Sequence, residues 1–307
     1  MTVTTFALVI LAALIHATWN LLAKKSGGGA AFVLLGNLVV MALYSPLLLI
    51  WWWYVPSLIA SITTTQWLFL VASALVHLGY SLSLQRGYQL ADYGVVYPVA
   101  RGTGPLLSSL IAIVFLGEAV TLVSGLGIVC VVSGIFVLAG GLRTLSEHTE
   151  RSRAGVRACE HTGVRACKHT GVRWGITTGL FIAGYTAIDG YLVKFLALSP
   201  LLVDYFSNFL RTLFLLPMFA RKRSELAVEW QKNWRYLLVI GAISPIAYVL
   251  VLFAMQTAPI SHVAPLRELS MLFAAAFGAR LLKEKHLGEK FLGACLMVTG
   301  VVGILWH

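Results

Sequence analysis

Uninterrupted apolar runs of roughly 20 residues recur ten times along this chain. That is the length a helix needs to cross about 30 Å of hydrocarbon. The runs lie at about 3–23, 30–53, 66–86, 94–116, 120–142, 173–193, 201–220, 236–256, 260–282 and 289–306. Backbone groups in lipid find no water to bond, so each run must be helical. Strands of a transmembrane barrel would alternate apolar and polar residues, and these runs do not. Composition agrees. The chain of 307 residues is 59% hydrophobic and 11% charged, against about 25% charged in an ordinary soluble domain. Soluble, disordered and disulfide-scaffold chains are excluded on that balance. The expected fold class is all-α integral membrane, with ten transmembrane helices. Trp51, Trp52, Trp53, Tyr54, Trp67, Trp174, Trp234 and Trp306 fall at run ends, where an interfacial aromatic belt belongs.

Residues 143–172 break the pattern, being polar, basic and poor in large apolar side chains. Within them GVRACEHT at 155–162 is followed by GVRACKHT at 163–170, identical but for Glu160 against Lys168. Cys159, His161, Cys167 and His169 do not have a standard zinc spacing. The stretch reads as a duplicated linker rather than a metal site. It divides the chain into a first repeat, 1–142, and a second, 173–307.

The two halves match in order. His16, Asn20 and Lys25 correspond to Tyr185, Asp189 and Lys194, and Asn37 and Pro46 to Asn208 and Pro217. Tyr80 corresponds to Tyr248, and Gln89, Ala91, Val96 and Pro98 to Gln256, Ala258, Val263 and Pro265. Leu116, Glu118, Gly127 and Gly134 correspond to Leu282, Glu284, Gly293 and Gly300. The net charge of +11 then orients the repeat. With loops assigned alternately to the two membrane faces, eighteen Lys and Arg fall on one face and Lys194 alone on the other. The rich face is cytoplasmic by the positive-inside rule. The linker is therefore expected in the cytoplasm and both termini outside. Five helices per half makes the halves antiparallel, the inverted-repeat arrangement of secondary transporters. Basic loops account for the charge, so no nucleic-acid partner is expected.

Asp189, Asp204, Glu268, Arg101, Arg211 and Arg267 fall well within the runs. A charge at the bilayer centre costs at least about 2.5–3.5 kcal/mol, so these groups are expected to face one another or water. His16 and Asn20 share a helix face at i, i+4, as do Tyr185 and Asp189. Asp204, Asn208 and Arg211 form a polar stripe. Arg267 and Glu268, adjacent on a helix, would diverge by about 100° and serve different partners. His77 and His262 read as packing residues. Ser124, Gly125, Gly127, Ser133 and Gly134 in run 5, with Gly293, Gly300 and Gly303 in run 10, suit close helix packing. No G-x-S-x-G, H-E-x-x-H or P-loop is present, so an enzyme and a cofactor are not expected.

His16-Ala17-Thr18-Trp19-Asn20 opens the first run. Tyr97-Pro98-Val99-Ala100-Arg101-Gly102 begins the fourth, and Phe115-Leu116-Gly117-Glu118 closes it. With two five-helix halves, the chain resembles the drug/metabolite transporter superfamily, EamA type, over all but 143–172. The resemblance implies two inverted EamA repeats around a central cavity, lined by runs 1–4 and 6–9, with runs 5 and 10 peripheral.

The expected function is secondary transport of a small polar metabolite, such as an amino acid or related zwitterion or anion, by alternating access and most simply as export. Arg101, Arg211 and Arg267 would bind carboxylate or phosphate-like groups. Asp189 and Glu268 would neutralise them, bind a substrate amine or take up a proton as coupling ion. Asn20, Asn208, Tyr97 and Tyr185 would supply hydrogen bonds, with His16, Trp19, Tyr80 and Tyr248 completing the site. A monomer in the plasma (inner) membrane is expected. A lipid-handling membrane protein or flippase and a purely structural subunit are the competing readings. The structural subunit requires every intramembrane charge to be directly paired.

Overall fold

Apolar runs become helices almost without exception. The computed structural model describes residues 1–26, 29–91, 93–138, 164–219, 222–273 and 287–306. Most of the polar linker, with Cys159 and His161, lies outside them, as do Arg280 and Glu284 and the side chains of Cys167 and His169. The helices are α1 (Val3–Ser26), α2 (Ala30–Tyr54), a single turn α3 (Ser57–Ala60), α4 (Thr64–Leu90), α5 (Tyr93–Phe115) and α6 (Leu122–Leu138). After the linker come α7 (Val164–Lys194), α8 (Pro200–Phe219), α9 (Arg223–Thr257), α10 (Ile260–Arg267) and α11 (Leu287–Leu305).

Six stretches are long and apolar enough to cross a membrane: Val3–Ala23, Ala30–Tyr54, Thr64–Leu90, Val95–Phe115, Thr170–Lys194 and Arg223–Thr257. Leu122–Leu138 and Phe291–Leu305 are shorter apolar helices. α8 has the length of a span, but Asp204, Asn208 and Arg211 lower its hydropathy. Large apolar side chains such as Leu47, Leu122 and Phe291 stand exposed, as lipid-facing groups would. The protein is an all-α, multi-pass membrane protein.

Two boundaries differ from the sequence expectation. α7 begins at Val164, inside the second copy of the duplicated octapeptide. Nothing from Ala166 to His169 breaks a helix, so the span continues into the polar stretch. The ninth run is interrupted instead. α10 ends at Arg267, Glu268 forms its C-cap at ψ −2°, and residues 269–273 are helical again. Pro98 and Pro265, although matched in the repeat, act differently. α5 passes unbroken through Pro98, whereas the helix holding Pro265 turns three residues later.

By contact, the chain separates into two compact units, each drawing on both halves of the sequence. The first comprises Met1–Leu78 and Tyr185–Ala258, and the second Gly79–Gly184 and Pro259–His307. In the first unit α1 and α2 pack against α9, and α2 also against α8. Phe32, Val39, Leu237 and Ile240 form its core beside Trp19 and Leu22. A second cluster joins Leu34, Leu215 and Phe219. Tyr44 donates to the Ala242 carbonyl at 2.6 Å, and Lys194 to the Ala258 carbonyl at 3.3 Å just past the end of α9.

In the second unit α6 packs along α11 and α5 against α6 and α10. α6 and α11 approach so closely that a Cβ on Gly127 would lie 2.7 Å from the Gly300 carbonyl oxygen. One on Gly134 would lie 2.7 Å from the Gly293 carbonyl oxygen. Small residues let these backbones meet, as membrane helices require. α5 ends through Gly117, whose φ of 68° a side chain would resist. That turn places the Glu118 carboxylate over the start of α10. It accepts from the amides of Ile260 (2.8 Å) and Ser261 (2.9 Å) and from the Ser261 hydroxyl (2.8 Å). An anion there satisfies donors that no helix can satisfy internally.

Candidate functional site

Each unit buries its own set of charges. In the first, the centre is Asp189 on α7, with no exposed surface. Its Oδ1 accepts from the Ser73 hydroxyl at 2.5 Å. Its Oδ2 accepts from the Tyr248 hydroxyl at 2.5 Å and lies 3.1 Å from His77 Nε2. The His77 ring stacks on Tyr185, centroids 3.9 Å apart, and meets Tyr248 edge-on at 5.9 Å. The cluster therefore joins α4, α7 and α9. Tyr185 and Asp189 are one turn apart, which is why both reach it.

α8 carries the second group of the first unit. The Asn208 amide donates to the Asp204 carbonyl at 2.8 Å, and its Oδ1 accepts from Arg211 Nη2. Asp204, Asp189, Tyr185 and Tyr248 surround the Arg211 guanidinium within electrostatic reach. Neither Arg211 nor Asp204 makes an ion pair among the described residues. Arg211 Nε is buried with no hydrogen-bond partner, as are Trp19 Nε1, Asn37 Nδ2 and Thr186 Oγ1. All four can donate. A buried donor without an acceptor costs about 1–3 kcal/mol, so these atoms call for water or a bound acceptor.

His16, Trp19 and Asn20 form a third group, on α1. The His16 and Trp19 rings meet edge-on at 4.8 Å. Asn20 donates to the His16 carbonyl at 2.8 Å within its own helix. Asn20 is thus turned to its own backbone, whereas its repeat counterpart Asp189 is held by other helices.

The second unit holds Arg101, Arg267 and Glu268. Arg101 Nη1 reaches Glu268 Oε2 at 3.1 Å, and Arg267 Nε reaches Oε1 at 3.4 Å. The Arg101 guanidinium lies 5.6 Å from the centroid of the Tyr97 ring. Tyr80 is close enough to Tyr97 to interact electrostatically. The spacing that matches Pro98 to Pro265 also matches Arg101 to Glu268, so repeat-related positions carry opposite charges and pair with each other. The expectation that Arg267 and Glu268 serve different partners is corrected here. Both converge on one ion cluster, because the helix ends between them and its angular spacing no longer applies.

Neither Ser73 nor His77 belongs to the sequence-derived site. His77 reads from sequence as a packing residue, and its partner is 112 positions away. Its one sequence signal is a titratable ring within an apolar run. A cleft of about 550 Å³ lies elsewhere in the first unit, lined at helix ends by residues that include Gly29, Ala30, Phe219, Lys222, Glu225 and Glu229, and holds none of these buried charges.

The profile of the EamA-like transporter family matches this chain twice, over residues 4–140 and 169–306. No protein with a curated description matches. One solved crystal structure, described only as "Crystal structure of protein", resembles 98% of this chain over 98% of its own. The identity is 14% and the TM-score 0.65, a likeness of fold.

Proposed function

Given that the chain belongs to the EamA-like transporter family, we propose that it is a secondary carrier, an exporter, of a small polar organic metabolite of the amino-acid or related zwitterionic or anionic class. Its two five-helix repeats, 1–142 and 173–307, run antiparallel in the plasma membrane and work by alternating access. The linker is cytoplasmic and both termini are outside. The protein is not an enzyme and acts as a monomer.

One observation carries this reading: Arg211 on α8 bonds an amide and makes no ion pair with a carboxylate among the described residues. A structural subunit would close every charge it buries, since an uncompensated one is costly. A carrier keeps one available for cargo. The planar guanidinium suits a carboxylate or phosphate-like group. Asp189 supplies the opposite charge, and Asn208, Tyr185, Tyr248 and Asn20 polar contacts. His16 and Trp19 flank Asn20, and in the second unit Arg101, Arg267, Glu268, Tyr97 and Tyr80 form a set of their own that would contact cargo.

Uptake of a metabolite panel into proteoliposomes tests the reading. The wild-type chain transports at least one amino-acid-like compound, and the pair Asp189→Asn with Arg101→Ala abolishes that transport. Unchanged transport by the double variant would refute the site. No flux of any polar metabolite would refute the carrier.

A further inference from the structure

The first unit buries a carboxylate with no exposed surface, Asp189 on α7. A charge within a membrane is expensive unless it is paired. The structure places one titratable ring directly against it. His77 Nε2 lies 3.1 Å from Asp189, and imidazole is the side chain that gains and loses its proton in the physiological range.

We infer that His77 and Asp189 form the proton-binding site of the carrier proposed above, His77 taking up one proton as the imidazolium and donating Nε2–H to Asp189 Oδ2. With that proton bound, the Asp189 carboxylate faces an imidazolium. With it released, the carboxylate loses that counter-charge and attracts a cation, whether a new proton or a substrate ammonium.

The surrounding groups fit this role. Tyr248 on α9 and Ser73 on α4 already donate to Asp189, so the carboxylate stays an acceptor whether or not His77 is charged. Tyr185 on α7 stacks flat on the imidazole. From α8, Asp204 and Arg211 lie within electrostatic reach of Asp189. A helix-packing histidine would need neither a fully buried carboxylate nor two further hydroxyls on that carboxylate.

The inference rests on the carrier reading only for its use of the proton, so two measurements separate the claims. The first is ¹⁵N-histidine NMR of the full chain in lipid nanodiscs between pH 5 and 8. The expected result is one imidazolium signal that titrates, disappears in His77→Gln, and turns to a neutral-ring pattern in Asp189→Asn. If either variant fails to fold, Tyr248→Phe keeps both partners and must perturb that same signal. A His77 ring that stays neutral throughout, or a signal indifferent to Asp189 and Tyr248, overturns the proton site. The second uses proteoliposomes loaded with a mixture of the twenty common amino acids under an imposed pH gradient. His77→Gln is expected to lose gradient-driven flux while retaining amino-acid counterflow. Equal gradient-driven flux in wild type and His77→Gln overturns the coupling role. A titrating His77 with no amino-acid flux at all supports the proton site and removes the amino-acid reading.

Discussion

The two compact units treat buried charge in opposite ways. In the second, Glu268 is held between Arg101 and Arg267, cations that do not titrate in any physiological range. In the first, Asp189 is held by two hydroxyls and an imidazole, and Arg211 by an amide. A carboxylate closed between two guanidiniums is bonded on both sides and holds helices together. Hydroxyls, an imidazole and an arginine lacking a carboxylate can exchange partners. The difference is one of bonding: a closed ion cluster in the second unit, and hydrogen bonds from neutral groups around the charges of the first. Both sets include residues from each sequence repeat, so the contrast does not follow the division of the sequence.

The sharpest way to break that contrast is Glu268→Gln. It leaves two buried guanidiniums without a carboxylate and is expected to cost about 3–5 kcal/mol, seen as collapse of the folded fraction in size-exclusion and thermal-melt profiles. A wild-type melt would show that the second unit does not depend on its ion cluster. Tyr248→Phe comes next. It removes one hydrogen bond to a charged acceptor, worth about 1.5–3 kcal/mol, but leaves Ser73 and His77 on Asp189. The protein should remain folded with a lower melting temperature, and a loss as large as that of Glu268→Gln would erase the distinction between the units.

How much of this was readable beforehand depends on the range of the interaction. Hydropathy alone marks α1, α2, α4, α5 and α9, because a spanning helix is specified by its own residues. The stripe Asp204, Asn208, Arg211 is likewise visible from i, i+4, i+7 spacing, and the small residues of α6 and α11 point to the close crossing found at Gly127 and Gly300. The turn at Glu268 was not visible. Pro98 and Pro265 look equivalent in sequence, yet one helix continues and the other stops. His77 shows no partner in the sequence, because the partner is Asp189, on another helix. Glu118 is a similar case: it stands out as the end of a family signature, but its bonds to Ile260 and Ser261 exist only once α10 is in place.

Two smaller effects sharpen the comparison further. Glu118→Gln keeps a carbonyl oxygen over the start of α10 but removes the charge. It should lower stability by about 0.3–1 kcal/mol, measured as a modest shift in melting temperature, with a loss several times larger showing that α10 depends on this carboxylate as strongly as on Glu268. Arg211→Gln should cost less than Glu268→Gln, because Arg211 makes no direct ion pair among the described residues and Asp189 keeps its bonds to Ser73, Tyr248 and His77. A melt depressed as far as that of Glu268→Gln would mean that Arg211 is a structural ion like those of the second unit.

Counterflow of a confirmed amino-acid-like substrate through proteoliposomes containing Arg211→Gln tests the account most directly. The variant is expected to fold well enough to be reconstituted and to exchange no substrate, since the guanidinium proposed to bind cargo is gone. Exchange at the wild-type rate would contradict the account, because the guanidinium in the first unit would then have no part in carrying anything.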